Sequence, residues 1–391
     1  MKPIKASTNI QKLLLVICIL PISFAALSQN IYDSIYVGNR WRTYMTHLPV
    51  GYNQTKKYPL VFCFHGGQAN NASLGWSAIA FQSKLSQKSD SAGFIVVYPE
   101  GTVFNNNRSW NAGKCCPPAM NQNIDDVGFV NYLLNELLKS YSIDSLSVYA
   151  TGSSNGGMLC YRLACELSER FAAIAPNACS QMFFPCNPTR KVPIIHFHSY
   201  ADNEVPYNGG TGTGPSGVSM TSQDSTMKIW RALNNCQSVD TIVNGKGLNY
   251  DFIKIHNCSC KVEYHHYSTT DGGHSWPGGN PNNNPASTQI NATDLLWEFF
   301  KQYKLGCLNT GVGEAETHSE VLSVFPNPTN GVVYFSKSNN ATPFKLIDAT
   351  GKTIYFGNSN SLDLSEITPG VYYLLIETEN GVTRKKIIKN P

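Results

Sequence analysis

The chain has 391 residues, 42% of them hydrophobic, which is enough for one large folded unit and a smaller module with its own core. Lys2, Lys5 and Lys12 lie in a leader without acidic residues, so the formal charge of +4 falls to +1 once that leader is removed. A balance so near neutrality excludes nucleic acid and anionic surfaces as expected partners.

The leader has a basic start, an apolar run over residues 13–20, a break at Pro21 and the small-residue pattern Ala26-Leu27-Ser28. It predicts a secretory signal over residues 1–28. The run is too short to span a bilayer and no later stretch does better, so no membrane span is expected. Of twelve cysteines Cys18 lies in the leader, leaving eleven between Cys63 and Cys307. In a secreted chain these predict disulfides and at least one thiol left over. Proximity suggests Cys179 with Cys186, and Cys236 with Cys258 or Cys260. Neither Cys115-Cys116 nor Cys258-x-Cys260 has the spacing of a tetrahedral zinc site, and no metal or cofactor is expected.

Residues 42–48 alternate like an edge strand, and 58–64 form a continuous apolar run, as in a strand buried on both faces of a mostly parallel sheet. That run ends in His65-Gly66-Gly67-Gln68, a glycine-rich turn able to aim backbone N–H groups at a ligand. A helix over 76–91 and a buried strand over 94–98 follow. Residues 105–123, rich in Asn and Gly, predict a long loop. Asp125 and Asp126 stand where a helix cap belongs, ahead of Val127, Val130, Leu134, Leu137, Leu138 and Tyr141 at helical spacing. Next comes a strand over 146–151, then Gly152-Ser153-Ser154-Asn155-Gly156, then a helix. A serine on a sharp strand-to-helix turn projects its hydroxyl from the backbone, and the glycines admit close neighbours. Ser154 is therefore the candidate nucleophile.

Strands over 171–176 and 192–198 follow, the second delivering Ala201-Asp202-Asn203-Glu204 to a loop. Residues 208–219 are glycine-rich, and 222–234 predict a helix. A strand over 261–267 leads into Thr270-Asp271-Gly272-Gly273-His274-Ser275-Trp276-Pro277-Gly278-Gly279. A helix over 292–304 closes a unit of residues 29–307, and 308–320 read as a polar linker. From 321 to 391 cysteines vanish and strands alternate with turns such as Asn380-Gly381, predicting a small all-β sandwich module.

Ser154, Asp202 and His274 each follow a predicted strand, in the nucleophile, acid, base order of an α/β-hydrolase. The hydroxyl needs an imidazole to take its proton, and the imidazole needs a carboxylate to hold its tautomer. The fold expected is thus a mostly parallel, doubly wound sheet followed by the all-β module. His196, His198, His265 and His266 lie within strands and read as packing or lining residues. Glu204 and Asp271 are alternative acids, Asp271 reading better as a loop-shaping residue. Trp276 can pack beneath the base loop or wall the site.

Pro59-Leu60-Val61 through His65-Gly66-Gly67-Gln68, Asp125-Asp126-Val127-Gly128-Phe129, Gly152-Ser153-Ser154-Asn155-Gly156-Gly157-Met158, Ala201-Asp202, Pro206-Tyr207 and Gly273-His274-Ser275-Trp276-Pro277-Gly278-Gly279 together resemble the secreted polyhydroxybutyrate depolymerase-like esterases. That group is similar to the feruloyl and acetyl xylan esterases of carbohydrate esterase family one. Over residues 31–307 the resemblance implies Ser154 as nucleophile, Asp202 as acid and His274 as base. It also implies an oxyanion hole from Gly67 and Asn155; Gly66 and Gln68, which flank Gly67 in the chain, and Trp276, close to His274, are the substrate-binding candidates. Many members have His-Gly-Cys-Gly-Gln, one residue longer than the loop here, which leaves Gly66, Gly67 and Gln68 open as the donor. Val324-Phe325-Pro326-Asn327-Pro328, residues 346–352 and Pro369-Gly370-Val371-Tyr372 resemble the C-terminal sorting domain of type IX secretion. That resemblance implies the type IX machinery as a partner and an extracellular or cell-surface location. The leading expectation is a feruloyl or acetyl xylan esterase acting on polysaccharide. A polyester depolymerase and a non-catalytic carbohydrate-binding protein are the alternatives.

Overall fold

The computed structural model describes residues 28–67, 75–242, 250–282, 284–306, 324, 326–335, 342–348, 352–378 and 381–390. The predicted signal, Gln68, Cys307, the linker and Asn380 lie outside the described residues. The chain divides into two compact units, 1–310 and 311–391.

The first unit begins with β1 (Gln29–Val37), β2 (Arg40–Leu48) and β3 (Tyr58–Phe64), followed by α1 (Gly75–Ser83), α2 (Leu85–Ala92) and β4 (Ile95–Pro99). A short ribbon, β5 (Thr102–Phe104) and β6 (Asn107–Ser109), precedes α3 (Asp126–Ser140), β7 (Ile143–Ser153), α4 (Asn155–Glu166), β8 (Ala173–Asn177) and β9 (Ile194–Ser199). A second ribbon, β10 (Gly210–Thr211) and β11 (Ser219–Met220), leads to α5 (Gln223–Leu233), β12 (Ser238–Ile242), β13 (Tyr250–His256), β14 (Tyr264–Thr269) and α6 (Ala292–Phe300).

Ten strands form one sheet in the order β1-β2-β4-β3-β7-β8-β9-β14-β13-β12. From β4 to β14 every pairing is parallel, while antiparallel strands close both edges. Alternate residues of the central strands feed two cores. Leu60, Phe62 and Phe64 meet α3, α4 and α5 on one face, whereas Val61, Val96 and Phe197 meet α1, α2 and α6 on the other. Burial on both faces explains the unbroken apolar runs of these strands. This is the α/β-hydrolase architecture, and it leaves the loops after β3, β7, β9 and β14 at one end of the sheet.

Several elements differ from expectation for local reasons. The predicted helix over 76–91 breaks at Lys84, whose φ of 55° is left-handed, and resumes as α2. The predicted loop contains the β5–β6 ribbon, because Asn105 and Asn106 at φ 48° and 61° make a tight hairpin turn. Edge strands β1, β12 and β13 carry no clear strand signal in the sequence, their residues being largely half-buried or exposed. Asp125 does cap α3, accepting from Gly128 N at 2.7 Å. Asp126 is instead fully buried against Arg42 at 2.7 Å and accepts from Asn111 N.

The disulfides are Cys115–Cys116, Cys165–Cys186 and Cys236–Cys258, the last closing the base of the β12–β13 hairpin. The suggested Cys179–Cys186 pair does not form. Cys179 Sγ is turned against Gly157 of α4 and remains a buried thiol, like Cys63 and Cys160. Cys260 is also disulfide-bonded.

The second unit pairs β15 (Val332–Tyr334) with β18 (Ser361–Asp363), and β16 (Thr342–Asp348) with β17 (Thr353–Ser359) and β19 (Gly370–Thr378), which also pairs β20 (Gly381–Lys389). Val333, Phe335, Leu346, Leu364, Leu374 and Ile387 form its own core. Among the described residues no helix is long and apolar enough to cross a membrane.

The Arg42–Asp126 pair gives a test of how the first unit is held. Arg42→Leu strands a buried carboxylate, and denaturant unfolding should show a loss of about 3–5 kcal/mol. A loss under about 1 kcal/mol would mean the pair is solvated in practice.

Candidate active site

Ser154 lies between β7 and α4 with φ 56° and ψ −126°, a conformation that costs an L-residue about 1–3 kcal/mol. The surrounding packing enforces it. A Cβ at Gly156 would collide with the carbonyls of Phe64 and His65, so only glycine lets α4 press on the end of β3. The same approach brings the loop after β3 to the serine, where a Cβ on Gly66 would stand 3.2 Å from Ser154 Cβ.

The turn after β3 is oriented by His65, which the sequence reading did not single out. Its Nε2 accepts from Gly101 N at 2.9 Å, so Nδ1 carries the proton and donates to Gly66 O at 2.6 Å. Burial, the largest influence, lowers the His65 pKa to about 3 and keeps the ring neutral. In a trans peptide the Gly66 carbonyl and the Gly67 N–H point opposite ways, so this bond turns the Gly67 N–H away from His65. Asn155 opens α4, whose first N–H groups have no acceptor within the helix. Its side chain is committed elsewhere, exchanging two hydrogen bonds with the Trp110 backbone at 2.7 and 2.9 Å.

Asp202 and His274 meet through His274 Nδ1 and Asp202 Oδ2 at 2.8 Å. The other carboxylate oxygen accepts from the N–H groups of Glu204 and Val205 at 3.0 and 2.9 Å. Burial opposes the charge on Asp202, but His274, His198 and the Val205 N–H together outweigh it and hold the pKa below the ordinary range. Burial likewise works against a charged His274, yet the Asp202 hydrogen bond, the Asp202 charge and that of Glu204, whose Oε2 is 3.9 Å from Nε2, raise its pKa.

Behind Asp202 stands a buried chain of hydrogen bonds whose direction is set at one end. Val205 O can only accept, so His198 Nε2 donates to it at 2.9 Å and lies 3.5 Å from Asp202 Oδ2. His198 Nδ1 must then accept from His196 Nε2 at 3.3 Å, and His196 Nδ1 from Tyr161 O–H at 2.9 Å. His196 and His198 therefore do more than the packing or lining expected of them, since they fix the loop that carries Asp202. Asn177 is a second residue missed in the sequence. Its Nδ2 donates to Ser153 Oγ and to Ser275 O, both at 3.0 Å, and its backbone carbonyl accepts from Ser154 N at 2.9 Å.

A cavity of about 520 Å³ opens between these loops, lined by Ser154, Asn155, His274, Gly66 and Gly67. Ile79, Pro117, Pro118, Met158, Val205 and Met220 add apolar wall. Gln68 lies outside the described residues. Trp276, a candidate for substrate contact, is 1% exposed and absent from that lining; its Nε1 donates to Thr293 Oγ1 at 2.9 Å beneath the loop. Asp271 binds Thr288 N and Ser287 Oγ rather than the imidazole, which is a loop-shaping position. Burial pushes the Cys63, Cys160 and Cys179 thiols up, leaving them poor nucleophiles. Among the described residues no group of three or more His, Cys, Asp or Glu could hold a metal ion.

Residues 36–229 match the family described as Putative esterase, and residues 323–390 match the Secretion system C-terminal sorting domain. Feruloyl esterase B of Piromyces equi is 27% identical over 273 residues, which are 68% of this chain and 46% of that protein. The chain thus spans less than half the length of that relative. Probable feruloyl esterase C of Aspergillus terreus is 27% identical over 268 residues, covering 66% of this chain and 83% of the relative. Among solved structures, the acetyl xylan esterase from Aspergillus awamori aligns with a TM-score of 0.47 at 17% identity, over 70% of this chain and 98% of that one.

The position of Trp276 predicts its mutational effect. Trp276→Ala should cost about 3–5 kcal/mol of stability, read by thermal or denaturant unfolding, and lower turnover on every ester alike. An unchanged unfolding midpoint with selective loss on aromatic acyl groups would put the ring on the substrate instead.

Proposed function

We propose that this chain, in which an esterase-family domain precedes a secretion sorting domain, is an exported serine carboxylic ester hydrolase that releases feruloyl or acetyl groups from plant-wall polysaccharide. The Asp202–His274 hydrogen bond, opening on the cavity that Ser154 lines, is the observation that carries this reading. Ser154 Oγ attacks the ester carbonyl as His274 Nε2 takes its proton, while Asp202 holds Nδ1–H in place and stabilises the imidazolium. The N–H groups of Gly67 and Asn155 receive the oxyanion of the tetrahedral intermediate. Collapse expels the sugar alkoxide, which takes the proton from His274. Water then repeats the sequence on the acyl-serine and frees the acid.

The substrate class draws support from the curated relatives, named as feruloyl esterases, and from an apolar wall suited to an acyl group. Export by the type IX route, which the sorting domain marks, would bring the enzyme to polymers outside the cell. Side-by-side release of ferulate and acetate from feruloylated arabinoxylan and acetylated xylan tests the reading, with a polyester as the contrast. Hydrolysis of the polyester alone would overturn the polysaccharide assignment.

Ser154→Ala should abolish release, and Asp202→Asn should lower turnover by roughly 10⁴-fold through loss of the correct imidazole tautomer. Near-normal turnover in Asp202→Asn would remove that residue from the mechanism. All cavity-lining residues lie in the first unit, so a chain ending at residue 310, which keeps every cysteine of that unit, should keep small-ester hydrolysis.

The pH profile follows from the charges at the base. The imidazole works neutral, so kcat/KM should rise with pH through the His274 pKa, with its half-rise above the ordinary histidine value of about 6.5. Glu204→Gln removes one of the two negative charges that raise this pKa, and the half-rise should move to lower pH. A half-rise that does not move would mean solvent screens Glu204 from the ring.

A further inference from the structure

The β1–β2 hairpin stands at the site end of the sheet and carries an exposed aromatic face. Tyr44 of β2 pairs with Pro99, the last residue of β4, and β4 runs parallel to β3, so residues 40–43 project past the strand ends where the cavity opens. At about 3.3 Å per residue the hairpin turn rises about 13 Å above that level. Arg40 lies over the Phe104 ring at 5.8 Å, which ties the hairpin to the ribbon whose Asn107 and Arg108 line the cavity.

One face of this hairpin has a composition of its own. Tyr36 and Trp41 are cross-strand neighbours with ring centroids 5.5 Å apart, and they are 56% and 68% exposed. Four residues back on the same face, Tyr32 is 61% exposed and meets Trp76, the second residue of α1, at 5.1 Å. Between the two aromatic pairs lie Ser34 and Thr43, paired across the strands and exposed. Asp33 and Arg42 point to the opposite face, where they bond Tyr44 and Asp126. The exposed face is therefore aromatic and hydroxylic, uncharged, and continuous through α1 with the Ala78, Ile79 and Gln82 side of the cavity.

We propose that this face is a glycan track, on which Tyr32, Tyr36 and Trp41 stack against the rings of a neutral polysaccharide while an ester substituent enters the cavity. Rigid aromatic rings offer apolar area to the C–H faces of pyranoses, and the hydroxyls between them can exchange hydrogen bonds with the sugar. A charged polymer would find no counter-charge on this face, whereas the Ser34 and Thr43 hydroxyls between the rings suit a neutral partner rich in hydroxyls. The four-residue spacing, about 13 Å, separates the two aromatic pairs by a few sugar rings. The proposal rests on the polysaccharide reading above and adds where the chain of sugars lies.

The full-length protein carrying Ser154→Ala, which binds without turnover, should be retarded in a native gel containing soluble arabinoxylan. Adding Tyr36→Ala and Trp41→Ala should weaken that binding by about tenfold or more. In the active enzyme the same pair of changes should raise KM for feruloylated arabinoxylan by a similar factor. Methyl ferulate should be hydrolysed within about twofold of the wild-type rate, since side chains so exposed contribute little to folding. Retardation and polymer KM both unchanged in the double variant, or no retardation of the parent, would overturn the track. Retardation that depends on Tyr36 and Trp41, in a protein that leaves polysaccharide esters intact, would keep the track and remove the substrate reading.

Discussion

The close contact of α4 with the end of β3 is the constraint from which the site is built. Glycine at 156 lets the first turn of α4 rest on the Phe64 and His65 carbonyls, and this seat holds Ser154 at positive φ. The strain of about 1–3 kcal/mol is small beside the burial of Met158, Leu159, Leu163 and Ala164 on the same helix, each worth on the order of 1 kcal/mol or more. One packing event therefore positions the serine, the turn after β3 and the N-terminus of α4 together. Asn177 extends it, because a single amide ties the serine turn to the loop that carries His274.

Three buried histidines near the cavity show how environment rather than residue type assigns a role. His65 faces a backbone donor and a backbone acceptor, so burial wins and the ring stays neutral. His198 lies beside Asp202, but its Nε2–H is directed at a carbonyl, and its pKa also falls. Only His274 has carboxylates at both nitrogens, at 2.8 and 3.9 Å, and only there does charge overcome burial. Asp202 also lies 3.5 Å from His198 Nε2, but of the three rings only His274 has enough counter-charge to offset its burial, as a residue proposed to turn cationic requires. The other two hold a proton in one place, which is what orienting a peptide or a loop requires.

Residues that announce themselves by spacing were legible in the sequence. The apolar runs of β3, β4, β8 and β9, the glycines around Ser154, and an acid and a histidine each following a strand suffice for a doubly wound sheet with its loops at one end. Relations between distant segments were not legible. Nothing local in Asp126 distinguishes a helix cap from the partner of Arg42, because the partner is 84 positions away. Trp276 has two readings until Thr293 is found beneath its indole. His196 and His198 sit mid-strand like any packing pair, and their direction appears only when Val205 O is seen at the end of the chain. The missed edge strands have the same origin, since a strand covered on one side and wet on the other carries a weaker pattern than one buried twice.

The cysteines of the first unit divide into thiols held by packing alone and cysteines joined in disulfides. Cys63 on β3 and Cys160 on α4 are reduced and buried within the cores that hold the central strands, where packing alone fixes the backbone. The disulfides share that core: Cys165–Cys186 ties the buried end of α4 to the long segment after β8, Cys236–Cys258 closes an edge hairpin, and Cys115–Cys116 sits in the loop that walls the cavity. Loops lack the hydrogen-bonded neighbours that hold strands, so they gain most from a covalent tie, and such ties persist only in an oxidising compartment. These bonds would be preserved on the sorting domain's route outside the cell, while the strand-to-helix turn at Ser154 is held by the packing of Gly156 against the end of β3.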